Sequence, residues 1–146
     1  MRPTRDQSMM EYALVAARRS TCIRRAVGCV LADANGHELA IAHNGVASGL
    51  PHCNEGHPCP GHDLPPGQDS CEGVHAEQNA ILKCKDPYKI HTAYITTSPC
   101  KPCLKLLLNT SCKRIVFLEE LEDTWPRDTW LASGNFRTWE KLVCKS

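Results

Sequence analysis

The sequence predicts an α/β protein, a three-layer α/β/α sandwich around a mixed sheet of about five strands. Three observations lead to this fold class. An apolar stripe near the amino terminus predicts a helix, and two apolar runs joined by an Asn-Gly turn predict a hairpin. The second half then alternates helical and strand patterns, which is typical of parallel strands joined by crossover helices. We expect the 146 residues to form one domain, spanning 1–146.

The first half of the chain supplies one helix and the hairpin. Residues 6–20 place apolar side chains on one helical face. The β-branched run of 26–33 predicts the first strand, and 38–45 predicts its antiparallel partner. Asn35 and Gly36 stand at the turn between the two strands, where they are favoured residues.

A long irregular loop is predicted over residues 46–72. The overlapping stretch 48–73 holds five prolines and five glycines, which exclude a regular helix or strand. A structureless loop of this length is uncommon in a compact domain. Its three cysteines and three histidines suggest that a metal ion holds the loop in place.

The second half supplies the other elements. Helical and strand patterns alternate over 75–85, 91–98, 100–110, 113–120, 123–134 and 135–143. The strands at 91–98 and 113–120 each follow a helix, so we expect them to be parallel neighbours in the sheet.

Composition excludes several classes of protein. The net charge of +1 excludes a strongly basic nucleic-acid binder. No segment has the roughly 20 apolar residues that a membrane helix needs, and the amino terminus lacks the pattern of a secretory signal. We therefore expect a cytoplasmic protein without a membrane partner, in which the ten cysteines serve metal binding more than disulfides.

Two short motifs place potential metal ligands at the starts of two predicted helices. "GVHAEQNAILKC" carries His75 and Glu77, and "SPCKPC" carries Cys100 and Cys103. A catalytic zinc ion usually has three protein ligands and keeps a fourth position open. Two cysteines at this spacing can face one ion, and the start of a helix favours their thiolate form. The sequence therefore predicts a zinc site made by His75, Cys100 and Cys103.

Glu77 has a different role in this interpretation. It lies too close to His75 to extend the coordination, but it is well placed for general acid–base chemistry beside the ion. His-x-Glu followed by Pro-Cys-x-x-Cys is also the signature of zinc-dependent nucleobase deaminases. The alternative interpretation is an ordinary helix with a capping histidine and an exposed glutamate, plus an unrelated Cys-x-x-Cys pair.

These motifs, together with "RSTCIRRAVGCVLAD" and "HNGVASGLPHC", resemble the cytidine deaminase superfamily and, within it, the deoxycytidylate deaminases of bacteria and phages. The resemblance runs in order from Glu11 to Glu119. It implies the cytidine deaminase-like fold and the zinc-dependent, hydrolytic removal of ammonia from C4 of dCMP, giving dUMP. A C5-modified dCMP is an alternative substrate. The resemblance also implies that Glu77 moves the protons.

The resemblance implies further contacts and partners. Asn44 matches an asparagine that contacts the sugar. Backbone positions that contact the base are matched by Ala76, Ser98 and Pro99. Similar enzymes are usually homo-hexamers, activated by dCTP and inhibited by dTTP. Ala42-His43 stands where relatives often have Gly-Tyr, in a motif associated with the effector nucleotide.

Four further cysteines predict a second, structural zinc site that pins the irregular loop. Some phage relatives carry a second zinc with ligands that match Cys22 and Cys53, and spacing adds Cys59 and Cys71. The alternative ligands are His52, His57 and His62. Free thiols or disulfides are the other interpretations.

A mononucleotide substrate also needs cations for its phosphate. Arg24 and Arg25, just before the first strand, are the first candidates, and Lys85 and Lys101 are others.

The sequence alone leaves other functions open. A deaminase of tRNA or single-stranded DNA needs a basic groove and stacking aromatic side chains, and the aromatic content of 5% argues against it. A deaminase of free nucleosides has a different cysteine spacing. A zinc-stabilised interaction module without catalysis would not need Glu77.

Overall fold

The computed structural model describes residues 1–22, 25–50 and 73–143. Its helices are α1 (Arg5–Ala17), α2 (Ala76–Lys83), α3 (Lys101–Leu108) and α4 (Trp125–Ala132). Its strands are β1 (Gly28–Ala32), β2 (Glu38–His43), β3 (Gly45–Val46), β4 (Gly73–Val74), β5 (Thr92–Thr97), β6 (Arg114–Glu119) and β7 (Thr138–Lys141). The long elements lie where the sequence predicts them, with shorter ends.

A five-stranded mixed sheet in the order β2-β1-β5-β6-β7 forms the centre of the fold. β1 pairs antiparallel with β2 and with β5. β6 runs parallel to β5 on one side and to β7 on the other, which confirms the predicted parallel neighbours. The carboxyl ends of β5 and β6 therefore meet at one edge of the sheet, where ligand sites of α/β proteins usually lie.

Two apolar clusters cover the two faces of the sheet, so the predicted three layers are confirmed. Helix α1 covers one face through Met9, Met10 and Ala13, which pack with alternate residues of β1, β5 and β6. Helices α2, α3 and α4 cover the other face. All five residues of β1 are buried because side chains on both faces of this strand meet a helix.

The small pairing of β3 with β4 was not predicted. Gly45 pairs with Val74 and Val46 with Gly73, so the two ends of the irregular stretch are joined by a two-stranded antiparallel ladder. This ladder holds the start of α2 close to the end of β2. Sequence periodicity cannot detect strands of two residues.

Helix α1 approaches the sheet very closely at Gly28. A Cβ atom built there would overlap the carbonyl oxygen of Ala13 and would lie 2.9 Å from the amide nitrogen of Ala17. The Gly28 N–H also donates a 3.1 Å hydrogen bond to the Thr96 hydroxyl of β5. The missing side chain thus sets the distance between the first and second layers.

An ion-pair network joins α1 to the far side of the sheet. Arg114 on β6 donates 2.9 Å hydrogen bonds to the carboxylates of Asp6 and Glu140. Tyr94 donates its hydroxyl to Asp6 at 2.7 Å. Burial would raise the pKa of Asp6, but the hydrogen bonds and charge of Arg114 lower it below its ordinary value. Hydrogen bonding from Arg114 likewise lowers the pKa of Glu140.

Replacing Arg114 by methionine is expected to lower the free energy of unfolding at pH 7 by about 2 kcal/mol, because its ion pairs with Asp6 and Glu140 and their hydrogen bonds are lost. Both carboxyl pKa values are lower in the folded protein, so the stability they contribute is present above the pKa values of the unfolded chain and is lost as pH falls through those of the folded protein. Urea unfolding at pH 7 and at pH 3 measures this. The difference between variant and wild type should shrink in acid; an unchanged difference would assign the loss to packing.

The last helix and strand are anchored by Arg137. Its guanidinium donates to the carbonyls of Leu108 (3.0 Å) and Cys112 (3.1 Å) at the end of α3, and lies 4.5 Å from the ring centre of Trp130. Trp130 is fully buried.

In the described parts of the chain, no helix has both the length and the apolar character that crossing a membrane requires.

Candidate metal centre

The first ligand stands at the start of α2. His75 has extended backbone angles and directly precedes the first helical residue. The Gln78 side chain accepts a 2.8 Å hydrogen bond from the His75 N–H and so closes the helix start. This arrangement fixes the backbone of His75 at the start of the helix. Glu77 follows in the first turn, on a helix that packs against β1 and β2.

The other two ligands stand at the start of α3. Cys100 directly precedes the helix, and Cys103 is its third residue. Side chains at these two positions face the same end of a helix, as in a capping box. Pro102 suits the first turn because its missing N–H would have no partner there. The strand β5 ends just before Cys100, so its place in the sheet brings Cys100 and Cys103 close to α2.

The three predicted ligands come together. The Nδ1 atom of His75 lies 3.2 Å from the Sγ atom of Cys100 and 3.2 Å from that of Cys103. All three ligand atoms lie within 4.8 Å of one another. Cys103 is fully buried and Cys100 partly exposed, so one side of the cluster opens toward solvent.

This donor set fits zinc. One imidazole nitrogen and two thiolate sulfurs are the ligand types that zinc prefers, and three protein ligands leave a coordination position open. Neighbouring ligand atoms in a tetrahedral zinc site are about 3.5 Å apart, close to the separations found here. The thiols share one negative charge: a hydrogen bond from Cys103 lowers the pKa of Cys100 to about 4, and keeping that proton raises the pKa of Cys103.

Glu77 lies beside this cluster and is nearly inaccessible to solvent, with 4% exposure. Burial, together with the negative charge on Cys100, raises the pKa of its carboxyl to about 7. A buried carboxyl that exchanges a proton near neutral pH is suited to general acid–base catalysis. The exposed glutamate of the alternative interpretation is therefore wrong.

An open cleft of about 580 Å³ leads to the exposed side of Cys100. Its lining includes the basic side chains of Arg25, Lys101 and Lys105. Residues 119–123, at and just after the end of β6, add four carboxylates to the lining. Lys101 lies 4.7 Å from the ring centre of Trp125. The cleft is thus wide enough for a small polar ligand and is lined by charges of both signs.

The family described as the cytidine and deoxycytidylate deaminase zinc-binding region matches residues 3–119. The chain belongs to this family. Two deoxycytidylate deaminases are similar in sequence. That of Schizosaccharomyces pombe is 36% identical over 126 residues, covering 80% of this chain and 37% of the relative. That of Mycobacterium phage D29 is 32% identical over 129 residues, covering 82% and 98%.

A solved structure of the family is also similar. The dCMP deaminase of the cyanophage S-TIM5, crystallised in complex with dCMP and dUMP, superimposes with a TM-score of 0.76 at 28% identity. The match covers 97% of this chain and 99% of the phage enzyme. The chain spans less than two fifths of the length of the fungal relatives, 37% and 38%, but nearly the full length of the phage ones.

Three further predicted site residues are neighbours of the ligands in the chain. Ala76 is buried at the start of α2, and Ser98 and Pro99 are buried between β5 and Cys100. The Ser98 hydroxyl accepts a 2.8 Å hydrogen bond from the N–H of Leu121, and its own N–H donates to the carbonyl of Glu119 at 2.8 Å. Ser98 therefore fixes the end of β5 to the end of β6.

Several predicted site residues lie outside the parts of the chain that the structure describes. Of the predicted second zinc site, Cys22 is described, partly buried, near the end of α1. The others fall outside the described residues: Cys53, Cys59 and Cys71, the alternative ligands His52, His57 and His62, and the phosphate candidate Arg24.

Sequence reasoning missed two features of this deaminase site. Asn79 donates a 2.9 Å hydrogen bond to the carbonyl of His43 and so ties α2 to the end of β2. Its spacing of four residues from His75 places it on the same helical face, which is a signal that the sequence contains. Lys105, four residues after Lys101, lines the cleft for the same reason.

Replacing Cys103 by serine is expected to remove one zinc ion per chain. The loss of a ligand should weaken binding by more than the roughly 100-fold that outer-shell changes alone can cause. Metal analysis of the purified protein measures this. Cys84→Ser is the matched control, since Cys84 is equally buried but donates to the carbonyl of Asp86, away from the cluster. Zinc retained by Cys103→Ser would contradict the assignment.

Proposed function

We propose that this protein catalyses the hydrolytic deamination of dCMP to dUMP and ammonia. The observation that carries the proposal is a buried carboxyl, Glu77, beside a histidine and two cysteines that converge at one end of a charged cleft. The deoxycytidylate deaminases similar in sequence, and the dCMP and dUMP bound in the cyanophage structure, support this substrate.

The chain's own residues have separable roles in this mechanism. Glu77 holds and moves protons: it accepts one from the attacking water and delivers it to N3 of the base, then accepts the proton of the new C4 hydroxyl and delivers it to the leaving amine. Zinc held by His75 and the two cysteines supplies Lewis-acid chemistry that makes water a nucleophile near neutral pH. The backbone at Ala76, Ser98 and Pro99 is proposed to orient the base.

The phosphate is proposed to bind the basic side chains that line the cleft. Arg25 is the proposed contact, with Arg24 as its sequence neighbour and Lys101 as another cation of the lining. Guanidinium groups bind phosphate through paired hydrogen bonds. The carboxylates that also line the cleft would repel the phosphate, which favours a contact with a cation such as Arg25. Asn44 is the proposed contact of the sugar.

Ammonia release with a panel of substrates tests the proposal. The zinc-loaded protein is supplied with dCMP, 5-methyl-dCMP, dCTP, deoxycytidine and a short cytosine-containing oligonucleotide. We expect turnover of the monophosphates, and comparison of the first two identifies the preferred C5 substituent. Turnover of the oligonucleotide alone would indicate a polynucleotide deaminase. Zinc binding without any turnover would indicate an interaction module.

The proposal also includes a second zinc ion, an oligomeric state, two effector nucleotides and a cellular location. A second, structural zinc held by Cys22, Cys53, Cys59 and Cys71 is tested by zinc analysis of Cys22→Ser, which should lose one ion and keep the catalytic one. Assembly into a homo-hexamer is tested by light scattering. Activation by dCTP and inhibition by dTTP are tested by adding each to the dCMP assay. A cytoplasmic location is tested by fractionation of cells that express the chain.

A further inference from the structure

The segment just before β1 has no regular structure of its own and is held by Asn44. The Asn44 side chain accepts a 2.9 Å hydrogen bond from the N–H of Val27 and donates a 2.8 Å hydrogen bond to the carbonyl of Arg25. The Asn44 N–H also donates to the carbonyl of Val27 at 3.1 Å. Three hydrogen bonds from one residue therefore fix the backbone on both sides of residue 26.

Asn44 is itself tied to the helix that carries Glu77. It lies between β2 and β3, directly after His43. The carbonyl of His43 accepts a 2.9 Å hydrogen bond from the Asn79 side chain of α2, and the His43 ring lies 2.9 Å from the Asn44 carbonyl. A continuous set of hydrogen bonds thus connects the catalytic helix with the backbone of Arg25.

These hydrogen bonds matter for the site because they hold the backbone of Arg25. Its side chain lines the cleft that also exposes Cys100. A long, flexible side chain loses conformational entropy when it binds a phosphate, and a fixed backbone reduces that cost. The position of Arg25 relative to Glu77 therefore depends on the two ends of the Asn44 amide.

We propose that Asn44 is a positioning residue that acts through Arg25, so that the pair sets the preference for a 5′-phosphorylated nucleotide over the nucleoside. This inference rests on the proposed function and goes beyond the sugar contact that the family resemblance implies for Asn44. The amide has one further donor and one further acceptor site, so a sugar contact and this positioning role are compatible. Their effects on the two kinds of substrate differ.

The test compares dCMP with deoxycytidine in wild type, Asn44→Ala, Arg25→Ala and the double variant. Asn44→Ala is expected to raise KM for dCMP about tenfold, the effect of losing roughly one charge-assisted hydrogen bond, with little change in kcat. KM for deoxycytidine, or its inhibition constant where turnover is slow, should rise only by the smaller factor that the lost sugar contact costs, so the loss is selective for dCMP. In the Arg25→Ala background the Asn44 substitution should affect dCMP no more than deoxycytidine, because coupled residues are not additive.

Two further variants keep the test independent of folding. Asn79→Ala leaves the Asn44 amide intact but removes its tie to α2, and should raise KM for dCMP in the same selective way. Asn35→Ala, in the exposed turn between β1 and β2, is the matched control and should change neither substrate. If Asn44→Ala does not fold, Asn79→Ala and Arg25→Ala with their double variant replace it in the cycle.

The possible outcomes separate the positioning role of Asn44 from the proposed deamination of dCMP. Equal losses with dCMP and deoxycytidine, or a loss selective for dCMP that persists without Arg25, would overturn the positioning role and leave deamination in place. An Arg25→Ala variant with an unchanged KM for dCMP would do the same. A wild-type protein that binds zinc but does not deaminate dCMP would overturn the proposed function and this inference together.

Discussion

Replacing Glu77 by glutamine is expected to lower the rate of dCMP deamination by roughly 10²–10⁴-fold, the usual contribution of a general acid–base group. Glutamine has nearly the same shape but neither accepts the proton from water nor returns one to the base. Zinc content should be unchanged, because the ligands are His75, Cys100 and Cys103. Ammonia release and metal analysis on the same sample measure both quantities.

The matched control for this substitution is Glu11→Gln, a similar change at an exposed position of α1 that does not line the cleft. It should keep nearly full activity. The Glu77→Gln protein should also be at least as stable as wild type, since an amide avoids the cost of burying a carboxylate. Activity within a few-fold of wild type in Glu77→Gln would show that another group moves the protons.

Substituting Gly28 by alanine is expected to lower the free energy of unfolding by about 3 kcal/mol or more, at or above the upper end for overpacked cores. The added methyl group would overlap backbone atoms of α1, which cannot move as an independent side chain does. Either α1 shifts away from the sheet, or β1 shifts and weakens the hydrogen bond between the Gly28 N–H and Thr96. Urea unfolding measures the loss.

Gly45→Ala is the control for this prediction. A Cβ atom at Gly45 would meet no other atom within 4 Å, so the change should be close to neutral. A Gly28→Ala protein as stable as wild type would mean that α1 does not pack against β1 as closely as the structure shows. The variant's m-value should stay unchanged if only stability is affected.

Much of the fold follows from local patterns. The stripe of α1, the β-branched run of β1 and the helix–strand alternation of the second half each mark an element that buries one or both faces in the core. Segment ends are less certain from sequence, because the apolar pattern continues past the last ladder hydrogen bond. The predicted strand of 26–33, for example, is observed as Gly28–Ala32, and its first two residues belong to the segment that Asn44 holds.

The metal centre could be predicted because its geometry is local. His75 directly precedes one helix and Cys100 another, and the Cys-x-x-Cys spacing places both thiols at a single helix start. The cleft could not be predicted in the same way. Arg25, Lys105 and the carboxylates at the end of β6 come from three distant segments. The antiparallel pairing of β1 with β5 and the parallel pairing of β5 with β6 bring them to one edge of the sheet.

The role of Asn44 could be predicted from the sequence only in part. A resemblance can mark the residue as part of a site, but the two backbone groups that its amide binds are 17 and 19 positions away in sequence. No periodic pattern encodes such a pairing. It depends on the antiparallel register of β1 with β2, which sets Gly28 opposite His43 and so places the residues just beyond them within reach of Asn44.

The anchoring of the last helix and strand by Arg137 has a consequence for the smallest unit that folds. The family match ends at residue 119, yet Trp130 of α4 is fully buried and β7 pairs with β6 along four residues. A chain cut after residue 119 would leave β6 as an unprotected edge and uncover Phe117 and Ile115, inviting self-association. The minimal folding unit of this protein is therefore longer than its family signature.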